Sequence, residues 1–140
     1  MNETIMSPAR ILIADDYADN RELLRLMLES AGYSVRETCN GSEFLAAARA
    51  ELPDVALIDL SMPVLDGWGT LHALRADERT RRIHCIAVTA LAADQDRQRA
   101  LDAGFDAYLT KPYRSRDLLE LVKRILSESR SLDGHSTPHA

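Results

Sequence analysis

The sequence predicts an α/β fold: one parallel sheet, doubly wound, with helices on both faces. Three observations support this. Apolar runs of strand length alternate five times with segments of helical period, and parallel strands need such crossover connections. Several runs, residues 55–58 and 86–88 among them, are continuously apolar, as expected of strands covered on both faces. Turn and cap residues such as Gly32, Asn40-Gly41, Pro53 and Gly104 fall between the runs.

Residues 10–14 read as the first strand, because Ile11-Leu12-Ile13-Ala14 is uninterrupted. Asp19 with Glu22 offers a start resembling a capping box to a helix that carries Leu24, Met27, Leu28 and Ala31 and stops at Gly32. A short strand over 34–39 leads through the turn Asn40-Gly41 to a second helix. Ser42 is its expected N-cap, and Phe44, Leu45 and Ala48 share one face. Pro53 ends that helix, and 54–59 is the central strand. After a loop punctuated by Pro63 and Gly67, Trp68, Leu71 and Leu74 mark a third helix. A strand over 83–89, a helix over 92–103 closed by Gly104, and a strand over 107–110 follow. The final helix starts near Ser115, with Leu118, Leu121, Val122 and Ile125 giving the clearest helical period in the chain. Beyond 127 the residues turn polar without apolar periodicity. The expected organisation is an arm over 1–9, one domain over 10–127 and a disordered tail over 128–140.

Composition narrows the function classes. A chain of 140 residues suits one domain that buries roughly 70% of its unfolded surface. A formal charge of −5 argues against nucleic acid as a partner, since phosphate neutralisation needs a basic surface. Cys39 and Cys85 lack metal-ligand spacing and fit reduced thiols of a cytoplasmic protein. No signal-peptide pattern is present, and no apolar run approaches the ~20 residues of a membrane span.

The informative residues stand at strand ends. Asp15-Asp16, Asp59, Thr89 and Lys111 each follow or close a strand at its carboxyl end. Open α/β sheets bind ligands at that edge. Asp15 or Asp16 alone has an ordinary explanation as a helix-capping acid, Thr89 as a β-branched strand residue, and Lys111 as a solvated loop lysine. Gathered in one cleft they do not. Two unit charges ~5 Å apart at an effective dielectric of ~20 repel by about 3 kcal/mol, so three carboxylates call for a cation. Oxygen ligands without His or Cys point to Mg²⁺, or Mn²⁺. Lys111 adds a compact positive charge and Thr89 a hydroxyl donor. Together they suit phosphoryl transfer to a carboxylate oxygen. Asp66-Gly67 reads as turn chemistry and Trp68 as packing, and none of the four histidines has ligand spacing.

From residues 10 to 126 the sequence resembles the receiver domain of bacterial two-component response regulators, the family of the single-domain chemotaxis regulator. Asp15-Asp16, the segment Asp59-Leu60-Ser61-Met62-Pro63-Val64-Leu65-Asp66-Gly67, Thr89-Ala90 and Lys111-Pro112 carry the resemblance by their order. It implies a flavodoxin-like sheet of order 2-1-3-4-5 with five helices. It also implies Asp59 as phosphoacceptor, Asp16 as direct metal ligand, Asp15 acting through metal-bound water, and the Ser61 backbone carbonyl as a further ligand. Thr89, the Ala90 backbone N–H and Lys111 would receive the phosphoryl group. Tyr108 would be the aromatic switch residue, and Lys111-Pro112 a cis peptide.

The implied partners are a histidine kinase or histidine phosphotransfer protein and a downstream protein target. The chain itself is expected as a monomer or a phosphorylation-dependent homodimer. Kinase docking is expected on Arg21, Leu24, Arg25, Leu28, Pro112 and Tyr113, and output on the face of the fourth helix, fifth strand and fifth helix. The fourth helix, rich in Asp and Arg, should be loosely docked. Ser61 and Leu91 flank the approach of a hydrolytic water, and Leu91 cannot hydrogen-bond it, so slow self-dephosphorylation is expected. Two rivals are set aside on residues. A phosphatase of the haloacid-dehalogenase type wants a second Asp where Ser61 stands, and an adaptor independent of phosphorylation would be expected to lack an acid or the lysine.

Overall fold

The computed structural model of the chain describes residues 7–62 and 64–136, with side chains described through residue 128. Five strands, β1 (Arg10–Ala14), β2 (Ser34–Thr38), β3 (Val55–Ile58), β4 (His84–Thr89) and β5 (Ala107–Thr110), alternate with five helices. These are α1 (Ala18–Ser30), α2 (Gly41–Ala50), α3 (Gly67–Ala76), α4 (Asp94–Ala103) and α5 (Ser115–Ser136). All strands are parallel, in the order β2-β1-β3-β4-β5. This is the expected flavodoxin-like doubly wound sheet.

Continuously apolar strands still obey the pleat, so successive side chains feed opposite layers. Leu12, Ala14, Ala56 and Ile58 join Phe44, Ala48, Leu71 and Leu74 beneath α2, α3 and α4. Ile11, Ile13, Val55 and Leu57 join Leu24, Leu28, Leu118, Val122 and Ile125 beneath α1 and α5. β2 lies at one edge and exposes most of its polar residues.

Helix boundaries differ from expectation where caps were misassigned. Asp19 does not cap α1, which begins at Ala18 after Tyr17 with no side-chain cap. Asp15 Oδ1 instead accepts the Tyr17 N–H at 2.9 Å, turning the chain into the helix earlier. Ser42 lies inside α2. Asn40 is the cap, accepting the Glu43 N–H at 2.9 Å, and Glu43 reaches back to the Cys39 N–H at 3.0 Å. Asp66 does more than turn the chain: its carboxylate caps α3 at the Gly69 N–H, 2.9 Å away. Gly104, at φ 118°, closes α4 in the left-handed region as expected.

The tail expected to be disordered over 128–140 is helical through Ser136, and 137–140 lie outside the described residues. No Pro or Gly interrupts the sequence before Gly134, and extending a formed helix costs little per residue. Arg124 and Glu128, one turn apart, are 3.7 Å from each other. Within the expected arm, residues 7–9 have no regular structure, and 1–6 lie outside the described residues.

α4 buries one residue, Ala100, which agrees with the thin apolar face read from its sequence. It gains a further hold through the single tryptophan. The Trp68 ring meets Phe105 edge-on at 6.2 Å, and the Arg99 guanidinium lies 4.2 Å over its face. Among the described residues no helix is long and apolar enough to cross a membrane.

Candidate functional site

Strand register assembles the site. Ala14 pairs with Ile58, so the next residues, Asp15 and Asp59, emerge side by side, and the Asp59 N–H donates to the Ala14 carbonyl at 2.9 Å. Thr89 pairs with Thr110, and the Lys111 N–H donates to the Thr89 carbonyl at 2.8 Å. Four strand ends thus converge at one edge, as the sequence predicted. Carboxylate oxygens of Asp15, Asp16 and Asp59 lie within 4.8 Å of one another. Lys111 closes the group, with Nζ 3.0 Å from Asp59 Oδ2 and 3.1 Å from Asp15 Oδ2.

Each acid is held differently. Asp15 and Asp59 are buried, whereas Asp16 is partly exposed. Asp59 Oδ1 accepts the Ser61 N–H at 3.0 Å, and Asp15 Oδ1 accepts the Tyr17 N–H. Among the described residues, Asp16 Oδ1 is buried without a hydrogen-bond partner. An orphaned carboxylate oxygen on an acid clustered with two others is what a hard cation would satisfy, and the all-oxygen donor set suits Mg²⁺. Burial raises the Asp59 carboxyl above its ordinary value, aided by the Asp15 charge. The Ser61 N–H and Lys111 oppose that rise without cancelling it. Burial alone would lower the Lys111 ammonium, but its hydrogen bond to Asp59 and both acids' charges outweigh that and raise it.

The surrounding residues set access. Thr89 is buried, its hydroxyl accepting the Leu91 N–H at 3.4 Å. Tyr108 is buried too and donates its hydroxyl to the Leu91 carbonyl at 2.6 Å, while the Leu91 side chain stays exposed. Ala90 is exposed at the rim, beside Asp15 and Lys111. The Lys111-Pro112 peptide is cis, as the resemblance implied.

Of the expected docking residues, Leu24 and Leu28 belong to the core and cannot face a partner. They lie one turn apart on the inward stripe of α1, which leaves Leu23 and Leu26 exposed and Met27 partly buried against the core. Leu23 and Met27, with Pro112 and Tyr113, line a groove of about 410 Å³ running to Lys111.

Sequence reasoning missed the supports. Arg21 Nη1 donates to the Asp15 carbonyl at 2.8 Å, and its Nε reaches Glu37 at 3.3 Å, tying α1 and β2 to the acidic pair. Gly67 packs against the peptide that carries Asp59: a Cβ there would overlap the Asp59 carbonyl oxygen. Its place after Asp66 suggested a turn, and only the packing reveals the close approach.

Known proteins with the same fold define the class. The family model for the response regulator receiver domain matches residues 11–123, and the chain belongs to this family. It is 34% identical to the polar-differentiation response regulator DivK of Brucella anthropi, over 87% of this chain and 99% of that protein. It is 39% identical to the DNA-binding dual master transcriptional regulator RpaA of Synechocystis, over 84% of this chain but only 48% of that protein. Among solved structures, the receiver domain of a Pseudomonas aeruginosa sensor histidine kinase contains a magnesium ion coordinated in its active-site cleft. It is 34% identical with a TM-score of 0.80, covering 86% of this chain and 98% of that one.

Receiver domains are signalling modules, and the acidic pocket of this chain fits magnesium binding and aspartyl phosphorylation.

Proposed function

We propose that this chain is a stand-alone response regulator that takes a phosphoryl group onto Asp59 from a histidine kinase or histidine phosphotransfer protein. The reading rests chiefly on the buried Asp59 carboxylate, which faces the Lys111 ammonium and clusters with Asp15 and with Asp16, whose Oδ1 has no hydrogen-bond partner among the described residues. In the transfer, an Asp59 oxygen attacks phosphorus in line, the P–N bond of the donor phosphohistidine breaks, and the imidazole leaves with the electron pair. Lys111, already within 3.0 Å of Asp59, supplies charge for the incoming phosphoryl oxygens. The Thr89 hydroxyl and the Ala90 N–H offer donors on the neighbouring strand end. Asp15, Asp16, Asp59 and the Ser61 carbonyl would hold Mg²⁺ (Mn²⁺ has the same preference for oxygen). When bound, the ion supplies the positive charge that neutralises the transferring group.

Donor docking is assigned to the groove of Leu23, Met27, Pro112 and Tyr113, which opens beside Lys111. Output is assigned to α4, β5 and α5, where α4 has little buried surface and the Tyr108 hydroxyl already bonds the Leu91 carbonyl. A new charge on Asp59 biases states of this face by differential contacts. Partner-dependent signalling in the cytoplasm, by a monomer or a phosphorylation-dependent dimer, fits the near full-length match to DivK. The partial match to RpaA favours a second reading, the receiver segment of a larger regulator.

Incubation with Mg²⁺ and acetyl phosphate should add one phosphoryl group by intact mass, lost in Asp59→Asn and with a chelator. A gain that survives Asp59→Asn would refute the assignment. With the exposed Leu91 side chain unable to orient water, the phosphorylated form should persist for many minutes. Decay within seconds would remove Leu91 from the account.

A further inference from the structure

A second concave site lies at the opposite edge of the sheet. There the loops entering β3, β4 and β5 line an open cleft of about 600 Å³, within the size range of sites for small organic ligands. Strands of four to six residues separate it from Asp59, a distance of roughly 13–20 Å. We propose that this cleft binds a nucleotide-sized organic phosphate, with a nucleoside diphosphate as its simplest representative. The proposal is independent of the phosphorylation chemistry at Asp59.

Charge is the first argument. The chain carries a net −5, yet residues 75–84 hold four arginines (Arg75, Arg79, Arg81, Arg82) against two acids, Asp77 and Glu78. All four arginines line the cleft. Its two acidic lining residues are already engaged. Asp54 Oδ2 accepts the Arg10 N–H at 2.7 Å, and Asp106 Oδ2 accepts the Cys85 N–H at 2.7 Å and Arg75 at 3.3 Å.

Division of labour among the arginines is the second. Arg75 spends its donors on the carbonyls of Arg81, Ile83 and Gly104 (2.8, 2.7 and 2.8 Å) and on Asp106, so it fixes the floor. Arg79 keeps one long contact, 3.4 Å to Asp77, with most of its side chain exposed. Among the described residues, the exposed side chains of Arg81 and Arg82 have no carboxylate partner.

The loop that presents them is fixed beforehand. The buried Thr80 hydroxyl donates to the Leu74 carbonyl at 2.8 Å, and the Arg81 and Ile83 N–H groups donate to Asp77 and Thr80. Guanidinium forks suit phosphate oxygens, and a fixed backbone beneath them confines the freedom lost on binding to the side chains.

Apolar lining is the third argument. Leu52 is exposed at this cleft, beside the largely buried Pro53 and Ile83, and offers a ring an apolar contact that a bare inorganic anion would leave uncovered. Nucleic acid or a lipid surface would ask for a charged track or a flat basic face, whereas here the basic residues gather around one concavity in an acidic chain.

The test is a titration of the ¹⁵N-labelled full chain with ADP at physiological salt, in EDTA so that no divalent cation bridges the nucleotide to the carboxylate cluster. Saturable amide shifts centred on residues 52–54, 79–84 and 104–106 are expected. Pyrophosphate should bind more weakly and adenosine weaker still. Arg81→Gln/Arg82→Gln should weaken ADP by about 10-fold or more while leaving acetyl phosphate labelling of Asp59 unchanged. Each single Gln substitution should weaken it partially, which keeps the test valid if the double variant folds poorly. Four results would overturn the proposal: no saturation by about 5 mM ADP, equal affinity in the variants, shifts spread over every surface arginine, or tighter binding of short duplex DNA or anionic vesicles.

Discussion

Replacing Gly67 by alanine tests whether the backbone beneath the acidic cleft is as closely packed as the structure requires. An added Cβ would overlap the Asp59 carbonyl oxygen and lie 2.6 Å from the Leu60 Cα and 3.0 Å from the Asp59 carbonyl carbon. Ordinary contact begins at 3.4 Å, so relief needs roughly 1 Å of movement between α3 and the end of β3. All three neighbours are backbone, and the Gly67 N–H also donates to the Leu60 carbonyl at 3.2 Å. Overpacking typically costs 1–3 kcal/mol, and rigid neighbours place this site near the top of that range, about 3 kcal/mol. A shift of ~1 Å in Asp59 relative to Lys111 and Asp15 should slow phosphoryl acceptance by about 100-fold.

Gly69, two residues on, is the internal control. Its Cβ would meet the tip of the Leu65 side chain at 2.7 Å, which can rotate away, and it would gain up to about 1 kcal/mol in helix propensity. Urea unfolding and acetyl phosphate labelling of both variants decide the matter. If Gly67→Ala matches the parent in stability and labelling rate, or behaves like Gly69→Ala, the packing argument fails.

Lys111→Met leaves Asp15 and Asp59 facing each other without their shared ammonium. Unfolding stability without metal should fall by about 3 kcal/mol, with Mg²⁺ recovering part of it in a calorimetric titration. Val64 is a β-branched residue held at φ 71° and largely exposed, so Val64→Gly should raise the urea midpoint by an amount equivalent to about 1 kcal/mol. Burial pushes the Cys85 thiol from an ordinary 9.0 up to about 12. The neutral thiol's contribution is complete below about pH 9 and erodes as pH rises toward 12. The stability advantage over Cys85→Ala should therefore shrink by about 1 kcal/mol between about pH 9 and 10. A thiol reagent at neutral pH should label Cys39 in the native chain and Cys85 only after unfolding. Amides of α4, which buries only Ala100, should exchange faster than those around Leu118 and Val122 in α5, and equal protection would contradict that.

The site was legible because its members close strands. Asp15, Asp59, Thr89 and Lys111 each follow an apolar run or end it, and parallel register then gathers them without further information. Periodicity likewise identified the inward faces of α2 and α5. Caps were harder, since Asn40 and Ser42 have similar local credentials and tertiary context chose between them. The α1 docking face was misread for the opposite reason. Leu24 and Leu28 lie on the apolar stripe of α1, and that stripe marks the core, leaving Leu23 and Leu26 exposed and Met27 at its margin. Side-chain contacts across elements, such as Arg21 on Glu37 or Arg75 on the Gly104 carbonyl and Asp106, leave no mark in a single sequence.

The indole at position 68 follows directly on the glycine pressed against the phosphoacceptor's peptide, yet its ring is gripped by Phe105 and Arg99. A lone fluorophore in that setting is a gauge of the fourth helix. Its emission should respond when that helix lifts or settles, and a dication entering the carboxylate cluster should register only as far as the disturbance reaches Arg99.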